Sequence, residues 1–98
     1  MELKLHPEVK DDLKKLDFKI RSEATEWLFK LEKNANLGEP LDYELKGARK
    51  IYFNKAKHRI IYKVNKKKVQ ILVVAIGARK DYEVYNLAKR RLKQMNGR

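Results

Sequence analysis

Two periods of hydrophobic and polar residues divide this chain, and the change falls near Leu41. Leu3 and Leu5 alternate with Glu2, Lys4 and His6, which predicts a short strand with one buried face. Pro7 then presets a first-turn dihedral, and Glu8 places a carboxylate where a helix dipole favours one. A short helix is expected over about Glu8 to Lys15, with Val9, Leu13 and Leu16 as a narrow apolar stripe. Asp17 can cap a second helix whose inner face is Ile20, Ala24, Trp27, Leu28 and Leu31, with Trp27 expected in the core. That helix ends before Gly38, and Pro40 prevents its resumption. The two helices read as a hairpin to be laid on a sheet.

Beyond Leu41 the period becomes two, and strands are expected at about Lys50 to Asn54, Arg59 to Asn65 and Val69 to Gly77. Their connections are short, as in an antiparallel meander. Val69 to Ile76 is apolar on both faces, so this strand should be central and covered on both sides for part of its length. A last helix is expected from about Glu83 to Gln94, with Val84, Leu87, Ala88, Arg91 and Leu92 along one side and fraying from Asn96 to Arg98. The fold class is α+β: a strand, a two-helix hairpin, a three-stranded antiparallel meander and a C-terminal helix. A chain of 98 residues supports one core, so a single domain over residues 1–98 is expected.

Charge narrows the choice of partner. Twenty-five Lys and Arg against thirteen Asp and Glu give a net charge of +12, which suits a polyanion, nucleic acid first and an acidic protein second. No apolar run approaches the roughly 18 residues of a membrane span and no signal-peptide core follows Met1, so no membrane partner and a cytoplasmic location are expected. The absence of cysteine excludes disulfides, thiolate catalysis and Cys-ligated zinc. No carboxylate cluster suggests a metal, and no cofactor is expected.

Chemistry concentrates between Ala75 and Tyr85, where an apolar strand ends and presents Arg79 and then Tyr85. Alternation puts Ile51 and Phe53 on one sheet face with Ile60, Tyr62 and Val64, which leaves Lys50, Tyr52, Arg59 and Lys63 on the face away from the helical hairpin. Lys55 and Lys57 add charge at its rim, and Lys89, Arg90, Arg91 and Lys93 offer further cations on the last helix. A concave cationic patch holding a phenol suits RNA cleavage by the RNA's own 2′-hydroxyl. Arginines stabilise the extra negative charge of the phosphorane-like state, while a base takes the 2′ proton and an acid protonates the 5′ oxygen. His6 is expected in a turn and His58 on the opposite face, so Tyr85 is the better base, neighbouring cations favouring its phenolate. Lys66 to Lys68 reads as a hairpin tip and Tyr62 as core.

The run from Leu45 to Leu92 resembles the RelE/ParE superfamily of toxin proteins, in particular the RelE branch of messenger-RNA endonucleases. The resemblance is carried by Leu45-Lys46-Gly47, His58-Arg59-Ile60-Ile61-Tyr62-Lys63-Val64, Ile76-Gly77-Ala78-Arg79, Glu83-Val84-Tyr85 and Ala88-Lys89-Arg90-Arg91-Leu92. It implies phosphate-stabilising roles for Arg59 and Arg79, proton transfer at the 2′-hydroxyl for Tyr85, and a catalytic lysine at Lys50. The family's second lysine position falls on Tyr52, so either Lys55 or Lys57 stands in as the acid or that acid is missing. RNA contacts are expected from Tyr52, Lys55, Lys57, Lys63, Lys89 and Arg90. The resemblance further implies cleavage of messenger RNA in the ribosomal A site without a metal, inhibition of translation, and silencing by a cognate antitoxin. DNA would be met only through the antitoxin complex. Two other functions stay open: a ParE-like inhibitor of DNA gyrase, and a nucleic-acid-binding relative with impaired catalysis, to which the departure at Tyr52 points.

Overall fold

The computed structural model describes residues 1–96. Of the stretch expected to fray, Asn96 to Arg98, Asn96 has a helical backbone and the rest lies outside the described residues. The elements in order are β1 (Glu2–Leu5), α1 (Val9–Lys14), α2 (Phe18–Lys33), β2 (Glu39–Pro40), a one-turn 3-10 helix (Tyr43–Leu45), β3 (Ala48–Phe53), β4 (His58–Asn65), β5 (Gln70–Ala78), a second one-turn helix (Lys80–Tyr82) and α3 (Glu83–Asn96). The strands form one sheet in the order β1-β5-β4-β3-β2. β1 runs parallel to β5, and the other pairings are antiparallel. This is the α+β arrangement expected from the sequence, with one addition. β2 pairs Glu39 with Lys50 and Pro40 with Arg49; two residues are too few to show a period, and a proline is tolerated there because β2 is an edge strand.

The sheet is covered on both faces. On one, Val9, Ala24, Leu28 and Leu31 of the helical hairpin pack on Ile51, Phe53, Ile60, Tyr62, Ile71, Val73 and Ile76. On the other, Val84 and Ala88 of α3, with Leu45, pack on Ala48, Ile61, Val74 and Ala75. Ile61 faces Ala75 whereas Tyr62 faces Val73, so Val74 is an extra residue in β5. Such a bulge reverses the alternation, and it explains why Val73 and Ile76 serve the hairpin side while Val74 and Ala75 serve the α3 side. Expectation and structure part at three hydrophobic positions. Trp27 only flanks the core, with Lys30 Nζ 4.5 Å above its ring. Leu5 is exposed on edge strand β1. Val69 precedes β5 in a left-handed turn, with φ 53°.

Two polar assemblies inside the molecule fix its irregular parts. The Tyr62 phenol donates to Ala35 O at 2.7 Å and accepts from Gly38 N at 2.8 Å, tying the chain that follows α2 to the sheet. Gly38 is required there: a Cβ would lie 2.7 Å from Lys50 O and 2.8 Å from the phenol. On the far side of the sheet's β1 edge, Asp12 of α1 forms a buried bidentate pair with Arg91 of α3, at 2.7 and 2.9 Å. Asp12 also accepts from Ile76 N and Arg91 donates to Val74 O, so the pair takes up β5 backbone groups beyond the end of β1. Among the described residues no helix is long and apolar enough to cross a membrane.

Candidate functional site

A depression of about 740 Å³ opens on the α3 side of the sheet, at the end where β3, β4 and β5 meet the start of α3. Its cations are Lys50, Arg59, Arg79, Lys80 and Lys89, against the carboxylates of Asp42, Glu44 and Asp81. Tyr43, Tyr52, Tyr82 and Tyr85 complete the lining chemistry.

Arg59 is its floor. It lies near the start of β4 and is only 6% exposed. Strand pairing sets Tyr52 directly opposite, and the guanidinium carbon lies 4.0 Å from that ring's centroid, a cation–π contact. Arg59 Nη1 donates to Ala56 O and His58 O, at 2.6 and 3.0 Å, and Nε donates to the Tyr85 phenol at 3.1 Å. A buried guanidinium held this way has little freedom left to lose on binding an anion.

The β3–β4 turn supplies that order through its backbone. Asn54, Lys55 and Ala56 all have left-handed φ values, 51°, 53° and 66°. The turn is anchored by the Glu23 carboxylate, which accepts from Asn54 N at 3.1 Å, and by Asn54 Nδ2 against His58 Nδ1 at 3.0 Å. Its carbonyls then hold both arginines: Ala56 O receives Arg59, and Lys57 O accepts from Arg79 N at 2.9 Å. Arg79 itself leaves β5 with an exposed side chain over the depression.

Tyr85 sits in the first turn of α3, half-buried, with the Tyr82 ring centroid 6.5 Å from its own. Lys89, one turn further along α3, has Nζ 3.5 Å from Glu44 Oε1. Lys50 Nζ lies 5.1 Å from the Tyr52 ring centroid, and its ammonium is held above the usual lysine value chiefly by the Tyr52 phenol.

Of the residues singled out in the sequence, Lys50, Tyr52, Arg59, Arg79, Tyr85 and Lys89 therefore meet in one place. Lys55 and Lys57 project from the exposed turn and do not line it. Lys63 lies toward the other end of β4, beside Lys66, Lys67 and Lys68. Arg90 borders a neighbouring hollow with Lys80 and Asp81. Arg91, grouped with the surface cations of the last helix, is instead buried against Asp12, which raises its pKa further. Neither histidine enters the depression. His6 Nδ1 accepts from Glu8 N at 3.1 Å, the turn role expected of it. His58 packs on Phe53 with ring centroids 5.4 Å apart, and burial lowers its pKa against the opposing carboxylates of Glu83 and Glu23.

Sequence reasoning missed Tyr43 and Tyr82. Tyr82, three residues before Tyr85, offered a spacing signal; Tyr43, between Asp42 and Glu44, offered none.

Comparison with known proteins places this geometry in context. A family model described as ParE toxin of type II toxin-antitoxin system, parDE, matches residues 3–82, which includes both arginines and stops short of Tyr85. Among solved structures, a mutant of E. coli toxin RelE in the free state superposes with a TM-score of 0.76 at 22% identity, covering 93% of this chain and 96% of that one. The toxin-antitoxin complex RelBE2 from Mycobacterium tuberculosis gives 0.71 at 21%, covering 80% and 96%. A YoeB/ParE toxin from Agrobacterium tumefaciens gives 0.67 at 20%, covering 80% and 98%. At these identities the likeness establishes the fold. No curated protein matches the chain in sequence.

Proposed function

The chain belongs to the ParE toxin family of type II toxin-antitoxin systems, and from that premise we propose that it is the nuclease kind of toxin, an endoribonuclease that cuts messenger RNA on the ribosome and so stops translation. The observation that carries this reading is the Arg59–Tyr85 hydrogen bond, Nε to phenol oxygen at 3.1 Å, on the floor of a cationic depression.

In the proposed reaction the RNA 2′-oxygen attacks the adjacent phosphorus and the bond from phosphorus to the 5′ oxygen breaks, which leaves a 2′,3′-cyclic phosphate and a 5′-hydroxyl. Tyr85 is the base that takes the 2′ proton, with Arg59 Nε donating to its oxygen. Arg59 and Arg79 hold the non-bridging oxygens, where negative charge grows in the transition state. Lys50, kept protonated beside Tyr52, serves as a fixed positive charge on the phosphate. With Lys55 and Lys57 outside the depression, the open site leaves water to protonate the departing 5′ oxygen.

The partners proposed are messenger RNA in the ribosomal A site and a cognate antitoxin, as in the RelBE2 complex. One observation favours a second reading, a gyrase inhibitor: the family model that matches is that of ParE. Cell-free translation with the wild type and Tyr85→Phe, with 5′ ends of the messenger mapped by primer extension, separates the two. The nuclease predicts ribosome-dependent cuts that the variant loses. Intact messenger, together with inhibition of gyrase supercoiling, establishes the other.

A further inference from the structure

Tyr43 and Tyr82 have no place in the reaction just described, and the fold gains little from them. Tyr43 is 94% exposed and Tyr82 73% exposed. Both occupy the left-handed backbone region, with φ 56° and 57°, a conformation that glycine or asparagine adopts more easily than a bulky aromatic residue. Among the described residues neither phenol has a hydrogen-bond partner, and the Tyr82 ring's one aromatic contact is with Tyr85. A solvent-exposed aromatic residue on strained backbone is a feature of sites that bind something. Each comes from one of the two one-turn helices bordering the depression, and both line it with Arg59, Arg79 and Lys89.

We propose that Tyr43 and Tyr82 are base-stacking platforms: with the phosphate held by the arginines, nucleobases of single-stranded RNA lie against the two exposed rings. The proposal rests on the RNA reading above and specifies how that RNA is held. Aromatic faces accept any base and favour the larger purines, and they bind only bases that are already unstacked. Tyr82, beside Tyr85, would set the position of a base next to the reacting 2′-hydroxyl. The platforms would thus add affinity and orientation without a base-edge code.

The test is fluorescence anisotropy with a short 2′-O-methyl oligoadenylate, which cannot be cut, and with the same strand carrying abasic sites. Wild type is compared with Tyr43→Asn, Tyr82→Asn, Tyr43→Trp and Arg79→Ala. Asparagine tolerates the left-handed backbone, so these variants keep the fold, which their melting temperatures check. Each asparagine variant is expected to bind oligoadenylate roughly tenfold more weakly, to bind the abasic strand as wild type does, and to lose nothing in melting temperature. The tryptophan variant should keep wild-type affinity. Asparagine variants that bind oligoadenylate as tightly as wild type, while Arg79→Ala binds weakly, would overturn the platforms and leave the phosphate site standing. Equal losses on the abasic strand would also overturn them. Wild type that ignores both strands, with Arg79→Ala indistinguishable from it, would remove the RNA reading and this proposal together.

Discussion

Replacing Asp12 by alanine should remove a large part of this protein's stability although Asp12 touches nothing in the depression. The carboxylate and the Arg91 guanidinium have side-chain exposures of 3% and 4% and meet through two short hydrogen bonds. The Asp12→Ala change leaves Arg91 charged in the interior, since arginine cannot escape by losing its proton. Val74 O remains its hydrogen-bond acceptor, Glu8 Oε2 being 3.6 Å from Nε, and Ile76 N loses its carboxylate partner. Removing one partner of a buried pair costs about 3–5 kcal/mol, a fifth or more of the roughly 5–15 kcal/mol that stabilises a domain. Urea denaturation of Asp12→Ala, Arg91→Met and the Asp12→Ala/Arg91→Met double variant measures this as a double-mutant cycle. The double variant should cost well under the sum of the singles. What it leaves unpaired are two neutral backbone groups, at about 1–3 kcal/mol each, with no buried charge. A loss below about 1 kcal/mol for Asp12→Ala, or strictly additive costs, would refute the pair as the clamp between α1, β5 and α3.

Tyr62→Phe should cost about 1–3 kcal/mol in the same assay, because Ala35 O and Gly38 N lose their partner while the ring still fills its place. Stability should also fall with acid. Burial is the largest influence on both His6 and His58 and depresses both pKa values, so the unfolded chain binds more protons. The contribution is present above about pH 6.5 and is lost as pH falls through the folded values; urea midpoints at about pH 7.5 and 5.5 should differ, and less so in a His6→Gln/His58→Gln variant. RNA affinity should fall steeply with salt, and Arg79→Ala should lower the slope of log affinity against log salt by about one.

The elements were legible in the sequence because their periods are clean: the helical hairpin, three strands of the meander and the last helix stand close to where Val9, Leu28, Ile60 and Val84 recur. The arginines and Tyr85 were legible because alternation fixes the face on which Arg59 stands and a strand end fixes Arg79. What escaped depends on contacts between residues distant in the chain. Asp12 and Arg91 are 79 positions apart, and nothing in either neighbourhood marks a buried charge among so many exposed ones. Lys63 shares a face with Arg59 by alternation, but a strand of 8 residues separates its ends, so sharing a face did not bring it to the same depression. The work of the β3–β4 turn lies in its carbonyls, which side-chain identity does not reveal; Lys55 and Lys57 stand in that turn outside the depression.

The most direct test of the proposed chemistry is cleavage of ribosome-bound messenger in which a single 2′-hydroxyl, the one next to the cut phosphate, is replaced by hydrogen. The account predicts that wild-type protein leaves this strand whole, and that it converts the all-ribose strand into fragments ending in a 2′,3′-cyclic phosphate and a 5′-hydroxyl. Cleavage of the deoxy-substituted strand at the same bond would contradict it, because attack by the RNA's own hydroxyl is the step that Arg59, Arg79 and Tyr85 are proposed to serve.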